Sequence, residues 1–101
     1  MPVHIQAPQK IAPNTAFTLV VQVDGARAGR QVTVTLTQEG GPPPWFDPRP
    51  QEGVASPEGL TVVTFDHLAL SGPGTATLSA VARGYYGGYY GSDVVLIEVA
   101  P

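Results

Sequence analysis

The chain has no cysteine, so neither a disulfide framework nor a thiolate metal site is open to it. Charge is also sparse: 13% of residues carry one, about half the roughly 25% of an average globular protein. The five basic side chains, Lys10, Arg27, Arg30, Arg49 and Arg83, are scattered along the chain and outnumbered by eight acidic ones, for a net charge of −3. A nucleic-acid ligand demands a clustered basic patch to neutralise its phosphates, so DNA and RNA are excluded as main partners. No apolar run reaches the roughly 18 residues that cross a bilayer, and no membrane insertion is expected. Met1 to Lys10 lacks the basic segment followed by an apolar one that marks an export signal. No helical period survives over ten residues.

What the chain does have is glycine and proline, 12 and 11 in 101 residues, together with a hydrophobic share of 43%. The apolar residues fall into alternating runs, which a disordered chain lacks, so the composition predicts a single folded domain, residues 1–101, with many turns. A short first strand is expected at Val3 to Ala7, broken by Pro8 and Pro13 as an edge strand tolerates. Phe17, Leu19, Val21 and Val23 form one face of a second, closed by Asp24-Gly25. From Gln31 to Gln38, Val32, Val34 and Leu36 alternate with Thr33, Thr35 and Thr37, a half-buried strand with a threonine-rich outer face. Further strands are predicted at Leu60 to Phe65, at Thr75 to Arg83 with Ala76, Leu78, Ala80 and Ala82 on one face, and at Asp93 to Ala100. The last is apolar on both faces at Val94 to Ile97, as suits a strand inside a sheet or one covered by a partner. His67 to Leu70 reads as a bend into Ser71-Gly72-Pro73-Gly74. Two long connections remain: Gly41 to Glu58, with six prolines and no strand period, and Gly84 to Ser92, built only from Gly, Tyr and Ser.

Six or seven strands in about 100 residues are the pattern of an all-β antiparallel sandwich. Its inner faces are expected to hold Ile5, Phe17, Leu19, Val21, Val32, Val34, Leu36, Phe65, Leu68, Leu78, Ile97 and Val99. At roughly 1.5–3 kcal/mol per large buried side chain, that set supplies tens of kcal/mol against chain entropy without a disulfide. With the strands placed, the run Ile11-Ala12-Pro13-Asn14-Thr15-Ala16-Phe17-Thr18-Leu19 resembles the opening of bacterial immunoglobulin-like domains, where a proline-bearing turn leads into the second strand. The run Leu68 to Ala80, with its Ser71-Gly72-Pro73-Gly74 turn, is similar to the stretch before their penultimate strand. The resemblance implies a single immunoglobulin-like sandwich of about seven strands. It further implies a setting among modules of surface adhesins and secreted glycan-degrading enzymes, or among small decoration and accessory proteins of bacteriophage particles. The Cys…Trp…Cys spacing of antibody domains is missing.

Neither a catalytic nor a metal site is expected. His4 and His67 lack ligand spacing, Ser56, Ser71, Ser79 and Ser92 lack a nucleophile-elbow context, and Asp24, Asp47 and Asp93 show no calcium-loop spacing. No cofactor is expected. The segments that stand out are aromatic. Gly84-Tyr85-Tyr86-Gly87-Gly88-Tyr89-Tyr90-Gly91-Ser92 offers stiff, amphipathic rings on a permissive backbone, the character of binding loops. Gly40 to Pro50 carries Trp45 and Phe46 on a proline-stiffened stretch, which suits either an anchor in a partner's pocket or a plug on the domain's own core. Trp45, Phe46, Tyr85, Tyr86, Tyr89 and Tyr90 are therefore the expected binding residues. The expected function is non-catalytic binding. A virion accessory protein that decorates or cements a capsid or tail, assembled in the host cytoplasm, comes first, with a protein partner in that assembly. The alternative is an extracellular module of a bacterial surface protein or glycan-degrading enzyme that binds carbohydrate or protein. Flat, low-charge sheet faces with one lysine to discourage edge association also point to a homo-oligomer.

Overall fold

A computed structural model describes residues 2–101, of which none is helical; 61% of these described residues are strand, in two sheets. Eight strands follow one another: β1 (Val3–Gln6), β2 (Lys10–Ile11), β3 (Phe17–Asp24), β4 (Gln31–Gly40), β5 (Arg49–Val54), β6 (Leu60–Leu68), β7 (Gly74–Gly84) and β8 (Tyr89–Val99). The order β1-β3-β6 makes a three-stranded sheet, and β2-β8-β7-β4-β5 a five-stranded one. The body is elongated, 42 × 21 × 20 Å, with the strands alternating in direction between its two ends.

The period-2 pattern explains the layering. Successive side chains point to opposite faces, so Val32, Val34 and Leu36 of β4, and Ala76, Leu78, Ala80 and Ala82 of β7, reach the interior and are fully buried. They face Leu19, Val21 and Val23 of β3 and Val63, Phe65 and Leu68 of β6. The expected core is buried throughout except Phe17, which packs only partly against it. Val63 joins it from the middle of β6, and Val3, Leu70, Ala26 and Ala55 from a strand end and turns.

The structure departs from the expected elements in four places. The first strand divides at Pro8: β1 pairs antiparallel with β3, and the chain then crosses over so that β2 pairs with β8. That last pairing is parallel, so the sandwich is antiparallel everywhere but at one short edge. The proline-rich connection contains β5, which pairs with β4 from Gln31↔Val54 to Leu36↔Arg49. β5 is an edge strand, where Pro50 can sit without breaking a ladder bond. The bend expected at His67 lies inside the end of β6, with His67 at φ 58°. Finally, β8 begins at Tyr89, which shortens the tyrosine connection to residues 85–88.

Polar contacts also tie the sheets together, among them the Arg49 Nη1–H, which donates to the Asp66 carbonyl at 3.3 Å. Asp93, on the inner side of β8, accepts the Ile5 N–H through Oδ2 at 3.0 Å and the Val94 N–H through Oδ1 at 2.9 Å. Ile5 lies on the outer edge of its own sheet, so the carboxylate satisfies a donor that no strand could.

Candidate binding site

Strand direction sorts the connections between the two ends of the sandwich. β3 ends at Asp24, β4 starts at Gln31, and β7 ends at Gly84 opposite Val32. The β3–β4 and β7–β8 connections therefore stand side by side at one end. The β4–β5 connection, with Trp45 and Phe46, leaves β4 at its far end, beside the start of β7. The two aromatic segments lie at opposite ends and cannot act on one small ligand together.

At the tyrosine end, two turns frame a hollow of about 350 Å³. In the first, the Arg30 N–H donates to the Arg27 carbonyl at 3.0 Å, closing a turn in which Gly29 takes φ 81°. A type II turn requires that left-handed conformation at its third residue, and glycine adopts it without Cβ strain. This connection is anchored rather than free: Ala26 is buried, Gly29 N–H donates to the Ala55 carbonyl at 2.9 Å, and Ala55 N–H donates to the Arg30 carbonyl at 2.9 Å. In the second turn, the Gly87 N–H donates to the Gly84 carbonyl at 2.9 Å and the Gly84 N–H to the Gly88 carbonyl at 2.6 Å. Tyr85 and Tyr86 occupy the tip of that turn, 69% and 85% exposed, with rings 5.0 Å apart and edge to face at 89°.

Tyr89 and Tyr90 behave differently from the pair at the tip. The register of β7 and β8 shifts so that Arg83 faces Tyr89 and Ala82 faces Gly91. Tyr90 is the extra residue. It turns inward and packs partly against the core. Its ring lies beside Gly84, where a Cβ would come within 3.3 Å of it, so the absence of a side chain there makes room for the ring. Tyr89 stays on the outer face of the five-stranded sheet. The Arg83 guanidinium sits over its ring at 5.5 Å, and its hydroxyl donates to Ser92 Oγ at 3.1 Å.

The residues that line the hollow are Arg27, Arg30, Gln31, Tyr85, Tyr86 and Tyr90, together with Gly25, Gly84 and Gly88. Sequence reasoning picked out the tyrosines but treated Arg27 and Arg30 only as scattered charges. Strand parity was the available signal, since two connections that leave neighbouring antiparallel strands at the same end must meet.

The opposite end is tied to itself. Gln38 is buried, donates from Nε2 to the Gly40 carbonyl at 3.3 Å, and accepts the Phe46 N–H through Oε1 at 3.3 Å. Phe46 packs partly against the core beneath the Arg49 guanidinium, 5.7 Å from its ring, and so takes the role of plug. Trp45 is 51% exposed, yet its Nε1–H donates to the Gly41 carbonyl of its own loop at 2.9 Å. On the outer face of β8, Val94 and Leu96 are exposed, while the strand itself lies inside the sheet. Among the described residues no group of three or more His, Cys, Asp or Glu side chains comes together, and no helix is long and apolar enough to cross a membrane. Asp24 and Asp47 lie at opposite ends, and Asp93 is engaged between the sheets.

No protein-family model matches the sequence, and no curated protein matches it. Among solved structures, the chain is similar to the CARDB domain of the PF1109 protein from Pyrococcus furiosus, solved in complex with di-metal ions. The TM-score is 0.68 at 15% identity, covering 97% of this chain and 85% of that one. The likeness is one of fold. It places the chain among sandwiches of the immunoglobulin-like type, as the turn-and-strand runs implied.

Proposed function

We propose that the chain is a non-catalytic recognition module that binds through the tyrosine–arginine end of its sandwich. The observation that carries this reading is the hollow itself. Two backbone-anchored turns hold exposed rings and cationic side chains around a space at the small end of the range for ligand sites. Its lining includes no hydroxyl of Ser or Thr, no imidazole and no carboxylate, so binding rather than bond-breaking suits it. Trp45 and Phe46 serve the stability of the far end in this account, since their loop is satisfied by its own hydrogen bonds and core contacts.

Of the two settings expected from the sequence, display outside the cell with a carbohydrate ligand is the better supported. What supports it is a lining rich in hydrogen-bond donors beside aromatic rings, which suits a hydroxylated ring, although tyrosine and arginine also anchor protein interfaces. Attachment to a large particle is the second reading, favoured by the exposure of Tyr85 and Tyr86, which as anchors would lose that exposure on assembly. A glycan array probed with the labelled domain and with its Tyr85→Ala/Tyr86→Ala variant tests the proposal. Spots bound by the domain and lost in the variant, at unchanged melting temperature, are expected. Binding that survives the double substitution would remove this end from the account.

A further inference from the structure

Resting on that reading, we infer that Arg27 and Arg30 form a carboxylate clamp, and that the ligand is an acidic saccharide whose ring lies against the tyrosines. The two arginines are the first and fourth residues of one hydrogen-bonded β-turn, which holds their Cα atoms within about 7 Å of each other. Both line the same hollow. The other two arginines are engaged elsewhere, Arg49 over Phe46 and Arg83 over Tyr89. Two of the five basic residues of a chain with net charge −3 thus line one small concavity. Asp24 and Glu58 lie at the same end of the sandwich but outside the lining, so no carboxylate of the hollow occupies the clamp.

The chemistry of the lining names the ligand. A guanidinium presents a planar fork of donors that matches a carboxylate in two parallel hydrogen bonds. Tyr85, Tyr86 and Tyr90 add apolar faces for the C–H side of a sugar ring and hydroxyls for its hydroxyls, and Gln31 adds an amide. A peptide of acidic residues alone would satisfy the arginines but leave the rings without a matching face. A neutral sugar would match the rings but leave two cations unpaired. A carboxylated sugar ring uses both sets. The turns that carry these groups are held by backbone hydrogen bonds, so little ordering opposes binding.

The test is calorimetric titration of the whole chain with oligogalacturonate, oligomannuronate, a hyaluronan tetrasaccharide and sialyllactose, each beside its carboxyl-reduced form. At least one acidic member is expected to bind, with affinity falling ten-fold or more on carboxyl reduction and in Arg27→Gln/Arg30→Gln. Arg27→Lys/Arg30→Lys keeps the charge and should recover only part of that loss, because an ammonium cannot pair bidentately. Melting temperatures of both variants guard against misfolding. If the reduced forms bind as well as the acids, and Tyr85→Ala/Tyr86→Ala weakens both, the clamp is overturned while the recognition end stands. If no member binds, or if a polyglutamate peptide binds as tightly as the best sugar, the assignment to an acidic saccharide is overturned.

Discussion

Replacing Thr61 by valine should stabilise this protein, an unusual expectation for a core substitution. Thr61 lies on the inner side of β6 opposite Val23 and is 0% exposed. Its Oγ1 is buried with no hydrogen-bond partner among the described residues. Its methyl carbon, by contrast, is well placed: a Cβ on Gly53 of the neighbouring β5 would come within 2.8 Å of it, so the strands meet closely there. A buried, unpaired hydroxyl costs roughly 1–3 kcal/mol in desolvation, and valine exchanges it for a methyl of similar volume. Allowing for some strain from the added methyl, the expected gain is about 1 kcal/mol. In a domain of this size that raises the melting temperature by about 4–8 °C. Thr61→Ser keeps the hydroxyl and deletes the methyl that meets β5, so it should lower the melting temperature. Thermal and urea unfolding of the three proteins, with unchanged m-values, provides the comparison. A valine variant less stable than the parent would refute the assignment of an unsatisfied hydroxyl, and a serine variant as stable as the parent would refute the close packing of the methyl against β5.

Three other substitutions probe separate parts of the account. Gly53→Val should cost about 1–3 kcal/mol by overpacking, because its side chain meets both Thr61 and Val63 at less than contact distance; equilibrium unfolding measures it. Asp93→Ala leaves the Ile5 N–H without a partner and should cost roughly 1–3 kcal/mol, with faster hydrogen exchange along β1, whereas Asp93→Asn should lose less. Gln38→Leu removes the hydrogen bond that ties the Phe46 N–H to β4, so chymotrypsin should cut after Trp45 or Phe46 faster than in the parent while the tyrosine end is unaltered.

The fold was legible because period-2 alternation sets which face is buried, and β3, β4, β7 and the core half of β8 alternate cleanly. What stayed hidden had physical reasons. β5 carries Pro50 and Gly53 and is polar at Gln51 and Glu52, so no alternation marks it; its pairing with β4 supplies the order that its own side chains do not. Pro8 looked like the end of an edge strand, but the chain leaves one sheet there and joins the other. Leu70, Ala26 and Ala55 are buried from turns, where no period exists to announce them.

The candidate site was legible by half. Tyrosine-rich composition drew attention to residues 85–90, yet composition cannot separate Tyr85 and Tyr86 at the tip from Tyr90, which a register shift turns inward. Arg27 and Arg30 become part of the site only through the spatial meeting of two connections that are more than fifty residues apart in sequence. Trp45 and Phe46, equal candidates by sequence, are separated from it by the length of the sandwich.

The most direct test of the central claim is a map of backbone amide shifts in the labelled protein as the tightest-binding acidic oligosaccharide is added. The account predicts that the changes concentrate in residues 25–31 and 84–90, with residues 41–46 unmoved. Changes centred on Trp45, or spread over the outer face at Val94 and Leu96, would contradict it.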